Sequence, residues 1–388
     1  MLIFVMTGNN HIKILVAALL SPFFLAMVFC ASVGAAQASS PAPLKDVPLQ
    51  SVRIQDEFWS PKMDVWRTVT INDVLDKFGG DYSKAGERKA ADTGKLDPNM
   101  VTSDPRWFGD AYANWDRVAA GEYGKGGHVG KCFFDGLIYG SIRAAADFLA
   151  ANRDPALEAR VDGLIDRFVA AQSEDGYINT KVDLDAPQDR FEALGNGGYP
   201  YPAWHERYNM GGLFEAAVHY YKATGKTKFL SAAVKLANLC CDTMGPPPKK
   251  NVVPAHALPE MALVELYELF KAEPNLKDKL GVPVREDDYL ALAKFWIENR
   301  GNHNGIRNAR MKNDPRFSPS SRMSLGSYAQ DAYNPLELDT IDGHAVRATL
   351  QRLLCIAHDF QQRLIQISGQ ARNPWQRLQI EQESLPLR

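Results

Sequence analysis

Residues 135–168, "DGLIYGSIRAAADFLAANRDPALEARVDGLIDRF", decide the fold. Leu137, Ile138, Ile142, Ala145, Phe148 and Leu149 recur at helical spacing, and Leu157, Val161, Leu164, Ile165 and Phe168 do so again after a break. The break is Asp154-Pro155, a capping side chain followed by a proline suited to the first turn of a helix. The stretch therefore predicts a helical hairpin.

The same plan repeats downstream. Leu213, Phe214, Ala217, Val218 and Tyr221 mark one helix, Thr224-Gly225-Lys226 stops it, and Phe229, Leu230, Ala233, Val234 and Ala237 mark its partner. "PEMALVELYELF" and "DDYLALAKFWIEN" form a third pair, and "GHAVRATLQRLL" opens a fourth. Strand-like alternation is scarce, so the class is all-α. Pairs begin near 135, 206, 259 and 344, an uneven spacing with long loops at 173–204 and 301–341. An α-solenoid has a near-constant period and short connections, so a ring of hairpins, an (α/α) toroid, is favoured. Its loops would gather at one end and form a pocket.

Three histidines stand where a loop enters a helix: His205 in "WHERYNMGG", His256 in "VPAHALPEM" and His344 in "DGHAVRATL". In equivalent hairpins they would project from one end of the ring toward its axis, where a polyhydroxylated ligand could exchange hydrogen bonds with them. Each alone is as well read as a capping or core histidine. Asp135, Asp175, Glu206, Glu260, Asp331, Glu337 and Asp342 lie at loop edges and are candidates for acid–base work. Glu206 and Glu260 are equally well read as favouring helix N-termini, and Asp175 in "SEDGYINT" as shaping a turn. No catalytic residue is assigned.

The remaining features exclude more than they assign. With 44 basic and 46 acidic residues the formal charge is −2, which gives no reason to expect nucleic acid or an anionic membrane as partner. There is no GxSxG, GxGxxG, phosphate loop, HExxH or zinc-type CxxC. Residues 11–38 carry Lys13, an apolar run and the small-residue end Ala36-Gln37-Ala38, so 1–38 reads as a signal peptide and 39–50 as a linker. Export to the periplasm or the medium is expected, with no stable membrane span once the peptide is removed. Cys30 falls in that segment. Cys132, Cys240, Cys241 and Cys355 are too scattered for a disulfide framework or a metal site, and Cys240-Cys241 reads as a buried apolar pair.

"DEFWSPKM" (56–63), "DGLIYGSIRAAADFL" (135–149), "AAQSEDGYINT" (170–180), "HERYNMGGLFEAAVHYYKATGK" (205–226), "PAHALPEMALVELY" (254–267), "FWIENRG" (295–301), "YAQD" (328–331) and "GHAVRAT" (343–349) resemble, in order, glycoside hydrolase family 127, the β-L-arabinofuranosidases. The resemblance implies an (α/α)6 toroid followed by β-sandwich domains, and retaining hydrolysis of a terminal β-L-arabinofuranoside on an arabinose-containing glycan. It further implies a zinc-bound cysteine thiolate as nucleophile, a separate glutamate as acid/base, and sugar contacts from the histidines matching His205, His256 and His344. The glutamate, the Glu-x-Cys zinc block and the paired cysteines follow the GHAVRA block in that family, and residues after 357 match none of them. On this reading 51–357 is a toroid lacking its closing hairpins and β-sandwiches, 358–388 is an atypical tail of the kind a frameshift or premature end would produce, and zinc belongs to full-length relatives rather than to this chain. Such a chain would be inactive and marginally stable. Ala332, Arg207 and Gly140 depart from the family's usual histidine, leucine or valine, and glutamate. A non-catalytic sugar-binding toroid is the alternative; a polysaccharide lyase would need more cations than Arg143, Arg207 and Arg347.

Overall fold

The computed structural model describes residues 47, 51–80, 109–191, 205–254, 256–302, 330–331, 333–337 and 343–351. All but Val47 belong to one compact unit, Pro48–Gly369. The expected signal peptide, the linker up to Gln50 apart from Val47, Asp342, Cys355 and the tail lie outside the described residues.

Among the described residues there is no strand, only two isolated bridges, Gly79 to Asp110 and Met244 to Lys250. The chain enters through α1 (Trp59–Val65), a π-helical turn (Trp66–Thr70) and α2 (Ile71–Phe78) in continuous succession, then α3 (Ala113–Ala119). The predicted hairpins follow as α4 (Phe134–Ala151) with α5 (Pro155–Ala171), then the short α6 (Thr180–Asp185) inside the first long loop. Next come α7 (Glu206–Thr224) with α8 (Lys228–Thr243), α9 (Leu258–Ala272) with α10 (Glu286–Glu298), and α11 at 345–351. The helices at 59–78, 113–119 and 180–185 have no counterpart in the periodicity, because their runs are short or irregular.

Local chemistry sets the boundaries where it was expected to. The Asp154 carboxylate accepts from the backbone N–H groups of Ala156 and Leu157, both at 3.1 Å, with Pro155 in the first turn of α5. Gly225 closes α7 in the left-handed conformation at φ 74°.

The helices form two layers. α4, α7 and α9 lie side by side, and α5, α8 and α10 pack behind them. Between the layers Trp115, Tyr139, Phe168 and Phe229 interlock, with Phe168 and Phe229 centroids 4.9 Å apart and Tyr139 edge-on to Phe168 at 5.8 Å. Two glycines bring the first layer unusually close at one end. A Cβ on Gly136 would lie 2.6 Å from the Tyr208 ring, and one on Gly211 would lie 2.7 Å from the backbone nitrogen of Pro259. The first turns of α4, α7 and α9 are thereby drawn together. Elsewhere the entering segment around α1 exposes apolar surface, with Phe58, Trp59 and Trp66 each more than two-fifths exposed.

Candidate functional site

The drawn-in end of the first layer is where the predicted histidines meet. His205 caps α7, His256 stands two residues before α9, and His344 precedes α11. The His205 and His256 rings are 5.2 Å apart between centroids, and His256 and His344 are 6.2 Å apart. His205 takes a left-handed φ of 66°, uncommon for a side chain with a Cβ and a form of strain that concentrates at binding sites.

Arg347, one turn into α11 and almost fully buried, organises the group. Its Nε donates to His256 Nε2 at 3.1 Å, and its Nη2 lies 3.5 Å from His205 Nε2. A guanidinium only donates, so both Nε2 atoms must accept, and the proton of each neutral ring sits on Nδ1. The His205 Nδ1 faces the Cys132 Sγ at 3.7 Å. The His256 Nδ1 is buried with no hydrogen-bond partner. Burial first, and then the Arg347 charge, push His205 down to about 3 and His256 down to about 2. Both rings are therefore uncharged at any ordinary pH.

Phe133, Tyr208 and Cys132 complete the wall. Phe133 meets His205 edge-on at 5.2 Å, and Tyr208 lies 4.8 Å from His256. Asn209 secures it: its Oδ1 accepts from the Gly136 N–H at 3.0 Å and its Nδ2 donates to the Cys132 carbonyl at 2.8 Å. Cys132, Tyr208 and the organising role of Arg347 were missed from sequence. Cys132 stands just before α4, the same loop-to-helix position as the histidines, and that is the one signal that would have found it.

The candidate carboxylates do not converge here in the same way. Buried Glu206 accepts from the Tyr177 hydroxyl at 2.5 Å and the Phe191 N–H at 3.0 Å, and Arg207 lies 3.3 Å away. Buried Glu260 pairs with buried Arg300 at 2.6 Å. Burial raises both carboxyls. Asp135 accepts twice from Thr180, Asp175 accepts from the Tyr177 N–H as a turn former, and Asp331 accepts from the Gly301 N–H. Glu337 is exposed. Among the described candidates, all but Glu337 have structural work in hand.

The matching family model is the beta-L-arabinofuranosidase GH127 catalytic domain, over residues 51–378. The chain belongs to this family. A non-reducing end beta-L-arabinofuranosidase of Bifidobacterium longum subsp. longum is 31% identical over 238 residues, which is 60% of this chain and 33% of that protein. Two solved structures are similar. A GH127 beta-arabinofuranosidase has a TM-score of 0.56 and 27% identity, over 81% of this chain and 41% of its own. A GH127 beta-L-arabinofuranosidase from Geobacillus stearothermophilus T6 has a TM-score of 0.59 and 27% identity, over 78% of this chain and 41% of its own. The GH127 chain thus spans less than half the length of these relatives.

The thiolate-bound zinc that the family resemblance implies finds no fitting ligands among the described residues. Cys240 and Cys241 are buried in α8, Cys240 donates to the Met210 sulfur at 3.7 Å, and burial pushes the Cys241 thiol up to about 12. Burial likewise raises Cys132 to about 11. These are protonated thiols on separate elements or on adjacent positions of one helix. No chemical step is derived through them.

Proposed function

We propose that His205, His256 and His344 bind the terminal arabinofuranosyl unit of an arabinose-containing glycan. The observation that carries this reading is the buried, unpartnered His256 Nδ1 beside two further imidazoles, in a wall that also holds Tyr208 and Phe133. A furanose is uncharged and rich in hydroxyls. Neutral imidazoles with fixed tautomers offer it directed donors, and the aromatic edges cover its carbon faces. Arg347 acts as a positioning residue, setting the tautomers.

The full reaction we assign is retaining hydrolysis of the β-L-arabinofuranosidic bond, supported by family membership and by the similarity to a non-reducing end beta-L-arabinofuranosidase. The 388 residues by themselves bind without turnover on this reading, since neither a thiolate set nor a free acid/base carboxylate is assembled among the described ones. The (α/α)6 toroid is the architecture we favour, supported by the paired layers and the likeness to GH127 structures. Export is likewise proposed, on residues 11–38.

Calorimetric titration with methyl β-L-arabinofuranoside tests the pocket. Saturable binding is expected, weakened at least about tenfold by His256→Gln, the loss of a directed hydrogen bond in a buried site. Binding that is absent, or equal in the variant, would refute it. Release of arabinose by the unaltered chain would refute the claim of binding without turnover.

A further inference from the structure

We propose that Glu215, His219 and Glu265 form a site for a divalent transition-metal ion on the α7–α9 face, apart from the histidine pocket. No cysteine or HExxH spacing in the sequence points to a metal site; tertiary packing brings other ligand-bearing residues together. One ligand atom from each of the three side chains lies within 4.8 Å of the others. Glu215 and His219 are four residues apart on α7 and so share a face, and α9 brings Glu265 alongside. They sit 10 and 14 residues beyond His205 in the sequence, hence about 15 and 21 Å along the helix from it.

The arrangement around the three points to a ligand. His219 Nδ1 lies 2.6 Å from Asp147 Oδ1 on α4, the carboxylate–histidine contact that fixes a metal-binding imidazole with its Nε2 lone pair outward. That Nε2 faces Glu265 Oε2 at 3.9 Å, beyond hydrogen-bond distance. Glu265 Oε2 is itself buried without a hydrogen-bond partner. Glu215, 93% buried, is held through Oε1 by Arg143 at 2.8 Å, and a carboxylate oxygen of Glu215 belongs to the group. Asp147, Glu215 and Glu265 outnumber the nearby cations Arg143 and Lys222 by one, so the group carries surplus negative charge that favours a bound cation.

Two carboxylates and one imidazole suit zinc, manganese or ferrous iron, with a fourth position open to water. Bonds of about 2.1 Å require ligand atoms about 3.4 Å apart in a tetrahedron. The glutamate arms close that gap by side-chain rotation.

The test uses the full chain stripped with a chelator and titrated with Co2+ by visible absorbance, then with Zn2+ in competition. One ion per chain is expected, with a tetrahedral or five-coordinate cobalt spectrum. His219→Ala should abolish it, Glu265→Gln should weaken it at least tenfold, and Asp147→Asn should weaken it about 10- to 100-fold. Cys132→Ser should leave it unchanged. Absence of saturable binding, binding that survives both His219→Ala and Glu265→Gln, or loss in Cys132→Ser would overturn the proposal. Glu265→Gln is nearly isosteric and carries the test if His219→Ala does not fold, as judged by circular dichroism.

Discussion

Lowering the pH from 8 to 5 should remove stability through His205 and His256. In the folded chain these imidazoles are held down to about 3 and about 2, first by burial and then by Arg347. In the unfolded chain they titrate near about 6.5. Below that value the unfolded chain takes up protons that the folded chain refuses. The stabilisation is therefore complete above about pH 6.5 and is lost as the pH falls toward the folded values. Each group costs about 1.4 kcal/mol per pH unit, hence about 2 kcal/mol at pH 5 and about 4 kcal/mol for the pair. Asp135 and Glu265 act in the opposite sense. Burial raises them to about 6 and about 7, so the folded chain keeps protons that the unfolded chain has released, and their contribution grows as the pH falls toward 4. The informative quantity is thus the difference from a double variant, His205→Gln/His256→Gln, which keeps the carboxylates and removes the titrating rings. Urea unfolding at both pH values should show the unaltered chain losing about 4 kcal/mol more than the variant. Equal losses, within about 1 kcal/mol, would refute the placement of neutral imidazoles around Arg347.

Three further outcomes test the scaffold. Asp154→Ala removes the acceptor for two N–H groups at the start of α5 and should cost about 1 kcal/mol in thermal unfolding, with pocket binding unchanged. Gly211→Ala forces a methyl against the Pro259 backbone and should cost about 1–3 kcal/mol. Because that contact positions the residues just after His256, arabinofuranoside titration should weaken in the same variant. Glu260→Gln leaves the Arg300 guanidinium without its buried counter-charge, and a loss of about 3–5 kcal/mol by chemical denaturation is expected.

The helical hairpins were legible because their signals are local. Asp154-Pro155 and Gly225 act on neighbouring backbone, and the apolar spacing of α4, α5, α7 and α8 reports a face that any layered packing must bury. α6 was not legible: six residues carry too little periodicity, and its start rests on Asn179 capping the Val182 N–H. The histidine positions were legible for a similar reason, since a repeated hairpin places equivalent residues at one end.

The sequence by itself determined where helices begin and stop, the resemblance to GH127, and which end of the repeat carries imidazoles. Only the tertiary structure decided that Arg347 joins His205 and His256, that Cys132 and Tyr208 pack against these imidazoles, and that Glu215, His219 and Glu265 face one another. Caps and periodicity are properties of a few consecutive residues, whereas the charge state of a buried ring depends on which groups, 91 and 142 positions away along the chain, are packed against it.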